Sequence, residues 1–89
     1  MREIKIATRT VPDPLGRPRT FRYSLLADAV EAGDLFCENY GVQISEEGGD
    51  TASVRGITTS APRIHALLTQ LVEYAACPAS LRDIVEDWL

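Results

Sequence analysis

Thr59-Ser60-Ala61-Pro62-Arg63-Ile64-His65-Ala66-Leu67-Leu68-Thr69-Gln70-Leu71-Val72-Glu73-Tyr74-Ala75 decides how this chain folds. Ile64, Leu67, Leu68, Leu71, Val72 and Ala75 recur at intervals of three and four, which places them on one stripe of a helix. Thr59-Ser60-Ala61-Pro62 is a helix start, because a hydroxyl can accept from an orphan N–H and proline suits the first turn. Cys77-Pro78 predicts the end of that helix, since proline disfavours α geometry in the residue before it. Downstream, Leu81, Ile84, Val85 and Trp88 repeat the spacing on a short second helix running to the terminus. Arg82, Asp83, Glu86 and Asp87 form its outer face. The stripe predicts a docked structural helix, with arginines of the sheet beside its acidic end.

Upstream of this helical pair the periodicity changes to two. Over Glu3–Val11, Ile4 and Ile6 alternate with Lys5, Ala7 and Arg9, the pattern of a strand with one wet face. Pro12-Asp13-Pro14-Leu15-Gly16-Arg17-Pro18 can neither continue a ladder nor open a helix, so it reads as an exposed hairpin loop. Phe21, Tyr23 and Leu25 then define a second strand whose inward face is expected to meet Ile4 and Ile6. Ala27–Gly33 reads as a turn. From Asp34 to Ser45, Phe36, Tyr40, Val42 and Ile44 share the inward parity, interrupted by Glu38. Gly41 within this run suggests a bulge or a close crossing of another backbone. Glu46-Glu47-Gly48-Gly49-Asp50 is a polar turn, and Thr51–Thr58 supplies the last strand, with Gly56 leaving its register open. The resulting expectation is an α+β fold: a four-stranded antiparallel meander packed on one face by two helices, in the order ββββαα.

With 89 residues, 45% of them hydrophobic and 25% charged, the chain has the composition of a globular domain and room for one core, a single domain over residues 1–89. No segment reaches the ~20 apolar residues of a membrane span, and the N-terminus lacks the apolar stretch of a signal peptide, so a cytoplasmic location is expected. Charge is uneven. Arg2, Lys5, Arg9, Arg17, Arg19 and Arg22 face only Glu3 and Asp13 in the first quarter, whereas the remainder sets Arg55, Arg63 and Arg82 against eleven acidic residues. The net charge of −4 disfavours a general nucleic-acid binder but leaves room for a local anion site.

Few residues suggest chemistry. His65 is the single histidine and sits at the border of the apolar stripe, where a partly exposed helix residue is the simpler reading than a catalytic base. Cys37 and Cys77 are far apart, giving neither a disulfide scaffold nor a metal knuckle. The acidic turn Glu46–Asp50 lacks the alternation of a calcium loop, and no glycine-rich nucleotide fingerprint is present. Asp83 with Glu86 or Asp87 has a spacing common on any solvated helix. No catalytic residue, metal or cofactor is expected.

Tyr40-Gly41-Val42-Gln43-Ile44 and the tail Pro78-Ala79-Ser80-Leu81-Arg82-Asp83-Ile84-Val85-Glu86-Asp87-Trp88-Leu89 resemble a family of short uncharacterised proteins from clostridia-like Firmicutes. The resemblance covers the second half of the chain, and the proline-containing hairpin and the Asp28 segment look particular to this sequence. It implies a bacterial cytoplasmic protein and carries no activity or site residues with it.

The leading functional expectation is therefore a protein-interaction or regulatory module without catalytic activity, acting on a protein partner or on itself as a homodimer. Leu26, Leu35 and Cys37, on the parity opposite to the expected core, are its candidate interface. The alternative is an anion or nucleic-acid binder using Arg9, Arg17, Arg19 and Arg22 of the first hairpin, since arginine can hold phosphate bidentately.

Overall fold

The helix stripes and the inward face of the central strands meet across a single sheet with a helical pair on it. The computed structural model describes residues 1–31 and 33–89 in full and residue 32 by its backbone. Four antiparallel strands, β1 (Arg2–Pro12), β2 (Pro18–Ala32), β3 (Leu35–Glu46) and β4 (Thr51–Thr58), lie in the order β1-β2-β3-β4. Helix α1 (Ala61–Glu73) follows, then a 3-10 turn (Pro78–Ser80) and helix α2 (Leu81–Trp88). The ββββαα order and the α+β class are as the periodicities predict.

One core joins these layers. Phe21 and Tyr23 of β2 and Val42 and Ile44 of β3 pack beneath Ile64, Leu67, Leu68 and Leu71 of α1 and Leu81 and Val85 of α2. The helix begins as its sequence dictates: the Ser60 hydroxyl accepts from the Arg63 N–H at 3.3 Å, with Pro62 in the first turn. It ends at Glu73, five residues before Pro78. Ala75 takes a left-handed conformation (φ 50), its N–H donates to the Val72 carbonyl and the Ala76 N–H to the Leu71 carbonyl. That pair of bonds is a Schellman ending, which uses up the last carbonyls and ordinarily has glycine at the left-handed position. Ala75 therefore leaves the stripe.

Two expectations for β1 and β2 are corrected. Ile4 and Ile6 do not form the buried face; they are 41% and 43% exposed. A β-bulge between Lys5 and Ala7 adds one residue to β1, so Ala7 pairs with Tyr23 and Arg9 with Phe21, and parity flips beyond the bulge. The expected turn over Ala27–Gly33 is instead strand: β2 pairs with β3 out to Ala32 opposite Leu35, leaving Gly33 and Asp34 as a two-residue turn with Gly33 at φ 64. Beyond Arg2–Ala27 on one side and Tyr40–Thr58 on the other, no strand among the described residues flanks this hairpin. It projects as a two-stranded arm, and the molecule measures 54 × 23 × 17 Å. Its radius of gyration is 14.0 Å, against about 12 Å for a compact domain of this length. Phe36, expected inside, is 77% exposed on the arm because neither helix reaches that far.

Gly41 makes the close crossing its position suggests. A Cβ there would stand 2.3 Å from the Val54 carbonyl oxygen and 2.8 Å from the Arg55 Cα. Opposite it the register shifts between Tyr40 and Val42, so that β4 spends three residues where β3 spends one, with Gly56 at φ 64 absorbing the turn.

Candidate interaction surface

The arginines of the first hairpin are brought together at one end of the sheet, but most are already engaged. Past the bulge, Arg9 points to the helix side and one terminal nitrogen donates to the Val72 and Glu73 carbonyls, each at 2.9 Å. It thereby caps the C-terminus of α1, where a cation also meets the negative end of the helix dipole. Arg19 lies 5.1 Å over the Phe21 ring and forks onto Glu46 at 3.1 and 2.6 Å. That hydrogen-bonded pair holds the Glu46 carboxyl below its ordinary range and raises Arg19. Arg22 approaches Glu47 at 3.5 Å. Arg17 sits in the loop that Asp13 organises, its backbone N–H and that of Leu15 both donating to Asp13 Oδ1. Its guanidinium has no ion-pair partner among the described residues.

The expected interface residues separate. Leu26 is 1% exposed. It lies on the back face in register with Glu3 and Gly41, where Arg55 of β4 reaches the sulfur of Met1 from the opposite edge, so it offers no accessible surface. Leu35 is 72% exposed and Cys37 is exposed; both stand on the arm. With Val30, 40% exposed, and Phe36 they make the arm apolar on both faces. Its charges are all acidic: Asp28, Glu31, Asp34 and Glu38. At the base the Met1 ammonium lies 4.0 Å from Asp28 and Arg2 is paired with Glu38. Glu38 also accepts from the Tyr40 hydroxyl, and this bond is the main reason that the phenol's pKa is raised. Glu31 and Asp34 at the tip form no ion pair among the described residues.

A second apolar feature lies along the free edge of β1. Ile6, Ala7, His65, Leu68, Thr69, Val72 and Glu73 line a groove of about 190 Å³ between this strand and α1. The bulge creates it by turning Ile6 toward the helix side, and Ile4 extends the apolar strip toward the arm. Alternation alone could not reveal this groove, because a one-residue insertion is silent in a period-two pattern.

The remaining candidates stay apart. His65 is exposed on α1, and Cys37 and Cys77 are unpaired thiols. Cys77 hydrogen-bonds the Ser80 hydroxyl at 3.4 Å, which with the Ser80 and Ala79 N–H groups lowers its pKa against the opposing effect of burial. Among the described residues no three His, Cys, Asp or Glu side chains converge as metal ligands, and no helix is long and apolar enough to cross a membrane.

Together these features define a small meander-and-helix-pair protein whose exposed apolar side chains gather on a projecting arm and a strand edge, with Leu15, Tyr74 and Leu89 exposed elsewhere. The chain belongs to a family of unknown function, DUF6514, whose model matches residues 2–89. The match takes in the proline-containing hairpin and the Asp28 segment, so the family extends over the half of the chain that the tail resemblance does not reach. No match is found among curated proteins or among solved structures.

Proposed function

We propose that this chain is a protein-interaction or regulatory module without catalytic activity, working in the cytoplasm and making contact through the β2–β3 arm. The observation that carries the reading is the exposure of Leu35 and Phe36, 72% and 77%, at the end of a hairpin that no other element flanks. A lone two-stranded hairpin is marginal in water, and burying such side chains against a partner would return roughly 1.5–3 kcal/mol each. The anion-binding alternative is weaker, because Arg9, Arg19 and Arg22 would have to give up protein partners, and among the described residues Arg17 is the one of the four without an ion-pair or side-chain hydrogen-bond partner.

Sedimentation of the purified protein and affinity capture from its native cells test this reading, with the Leu35→Ser/Phe36→Ser double variant as the comparison. The expected result is an assembly or a retained partner that the double variant loses while keeping its far-UV circular dichroism. A strictly monomeric protein that retains no partner sinks the proposal. So does a partner held equally by both proteins.

A further inference from the structure

The arm's charge is one-sided, and it is left uncompensated where the apolar side chains stand clear of the sheet. Asp28 and Glu38 at the base are met within the chain, by the Met1 ammonium at 4.0 Å and by Arg2. Toward the tip, Glu31 pairs across the hairpin with Phe36 and Asp34 precedes Leu35. Both acids are exposed, and neither forms an ion pair among the described residues. Arg9, on the end of α1, and Arg19, on Glu46, stand toward the opposite end of a molecule 54 Å long. The backbone of the arm is open as well. Strand β4 parts from β3 at Tyr40, paired with Thr58, and the chain then enters α1, so the outer edge of β3 from Leu35 to Asn39 has no neighbouring strand among the described residues. An edge of that kind is a template for strand addition.

We propose that the outer edge of β3 on the arm binds an extended basic segment of a partner protein, added as a strand whose lysines or arginines meet Glu31 and Asp34 and whose apolar side chains cover Leu35 and Phe36. Neighbouring strands lie ~4.8 Å apart, so the backbone of the added strand stands about 5 Å from that of Phe36 and about 10 Å from that of Glu31. A lysine or arginine side chain spans that second interval, and Asp34 borders the edge itself, so both acids fall within the ~8–10 Å over which charges act at physiological salt. Charge also selects the edge and the occupant. The outer edge of β2 carries the Met1 ammonium beside Asp28, which repels a basic strand. A second copy's arm would set Glu31 and Asp34 against the same two acids, and like charges facing each other across strands are destabilising. Main-chain bonds along the edge supply affinity for any strand, and the acids with the two apolar side chains choose among strands.

This proposal rests on the arm-mediated reading and adds the partner's chemistry, and the test separates the two. The probe is a short synthetic peptide of alternating lysine and valine, titrated into the full chain, with the peptide of alternating glutamate and valine as its comparison. The lysine peptide is expected to bind with a dissociation constant that rises with salt, and to slow amide exchange in Leu35–Asn39 more than in Ala29–Glu31. The glutamate peptide is expected not to bind. Glu31→Lys/Asp34→Lys should weaken binding about tenfold or more with unchanged circular dichroism, and Glu31→Gln/Asp34→Asn should weaken it less. Leu35→Ser/Phe36→Ser should lose it too. Asp50→Lys/Glu73→Lys makes the same change of net charge at the other end of the sheet, where Thr51 pairs with Ser45 and Arg9 holds the Glu73 carbonyl, and should leave binding unchanged. If the lysine peptide does not bind, binds the Glu31→Lys/Asp34→Lys variant as well as the wild type, or is weakened as much by Asp50→Lys/Glu73→Lys, the β3 edge is not a site for a basic strand. An assembly or retained partner that is lost with Leu35→Ser/Phe36→Ser but is indifferent to Glu31→Lys/Asp34→Lys likewise overturns this proposal, while leaving an arm-mediated module standing.

Discussion

The Tyr23 hydroxyl, buried at the centre of the sheet, donates to the Ala76 carbonyl at 2.9 Å, tying β2 to the segment that leaves α1. Together with Arg9 on the Val72 and Glu73 carbonyls, it satisfies the end of the helix from the strand side. Tyr23→Phe keeps the ring and removes the donor, leaving a buried carbonyl unpaired at a cost of about 1–3 kcal/mol. Denaturant unfolding at neutral pH should show that loss with an unchanged m-value. Burial raises the pKa of this phenol, so its stabilising effect is present below the ordinary tyrosine value and is lost as pH rises through the folded one. The stability gap between wild type and Tyr23→Phe should accordingly narrow above pH 10.

Ala75 occupies the left-handed position of the Schellman ending at φ 50. An L-residue there costs roughly 1–2 kcal/mol, and glycine avoids it while losing some entropy on folding. Ala75→Gly should therefore stabilise the protein by about 0.5–1 kcal/mol. A lower melting temperature for Ala75→Gly would contradict the assigned geometry.

Gly41→Ala should have the opposite sign. Its Cβ would meet backbone atoms at 2.3 and 2.8 Å, which cannot swing aside as a side-chain tip could. Separation of β3 from β4 is the available relief, and a loss of about 3 kcal/mol is expected from overpacking of this kind. Amide exchange should report it first in β4.

Arg19 and Glu46 pair across the open end of the β2–β3 ladder, where Phe21 pairs with Glu46. Because the arginine lowers the Glu46 pKa, the contribution is present above the unfolded value of 4.5 and is lost as pH falls through the folded value. Glu46→Gln should be less stable at pH 7, and its melting temperature should fall less steeply than the wild type's below pH 4.5. Parallel profiles would show that the pair does not contribute.

These sites differ in how plainly the sequence announces them. The α1 stripe is legible because Ile64, Leu67, Leu68 and Leu71 all face one core, and Gly41 is legible because a strand interior has little other use for glycine. The arm is not, because Ala29-Val30-Glu31 is wetted on both faces once β2 leaves the sheet, and alternation is a signature of a half-buried strand. Arg9 falls on the wet parity until the bulge at Ile6 reverses it. The helix cap it makes spans 63 residues to Val72 and depends on tertiary contact alone. Of the candidate surface, Leu35 and Cys37 are legible as exposed, and the β1 groove is invisible without the bulge.

Trp88 gives the last prediction, because it is the only tryptophan and stands at the join of the two helices. Helix α2 is only eight residues long and would be unstable alone, so its order derives from docking. Leu81 and Val85 are fully buried against the sheet and α1, whereas Ile84 and Trp88 are half-buried beside a cleft also lined by Gln70 and Asp87. The arginine beside this helix comes from α1 and not from the sheet: the Arg63 guanidinium lies 4.7 Å over the Trp88 ring. A contact of that type at an exposed site is worth about 0.5–1 kcal/mol. Trp88→Ala should therefore cost about 2 kcal/mol, less than the 3–5 kcal/mol of a wholly buried aromatic. Arg63→Ala should cost less than 1 kcal/mol, about the worth of the stacked pair. Wild-type emission should lie between those of buried and free tryptophan, with quenching by acrylamide that is partial and increases in Arg63→Ala. Removing residues from Leu81 onward should unfold the domain, because Leu81 and Val85 close the core. Emission like that of free tryptophan, together with full stability after that truncation, would mean that α2 is a detached recognition peptide.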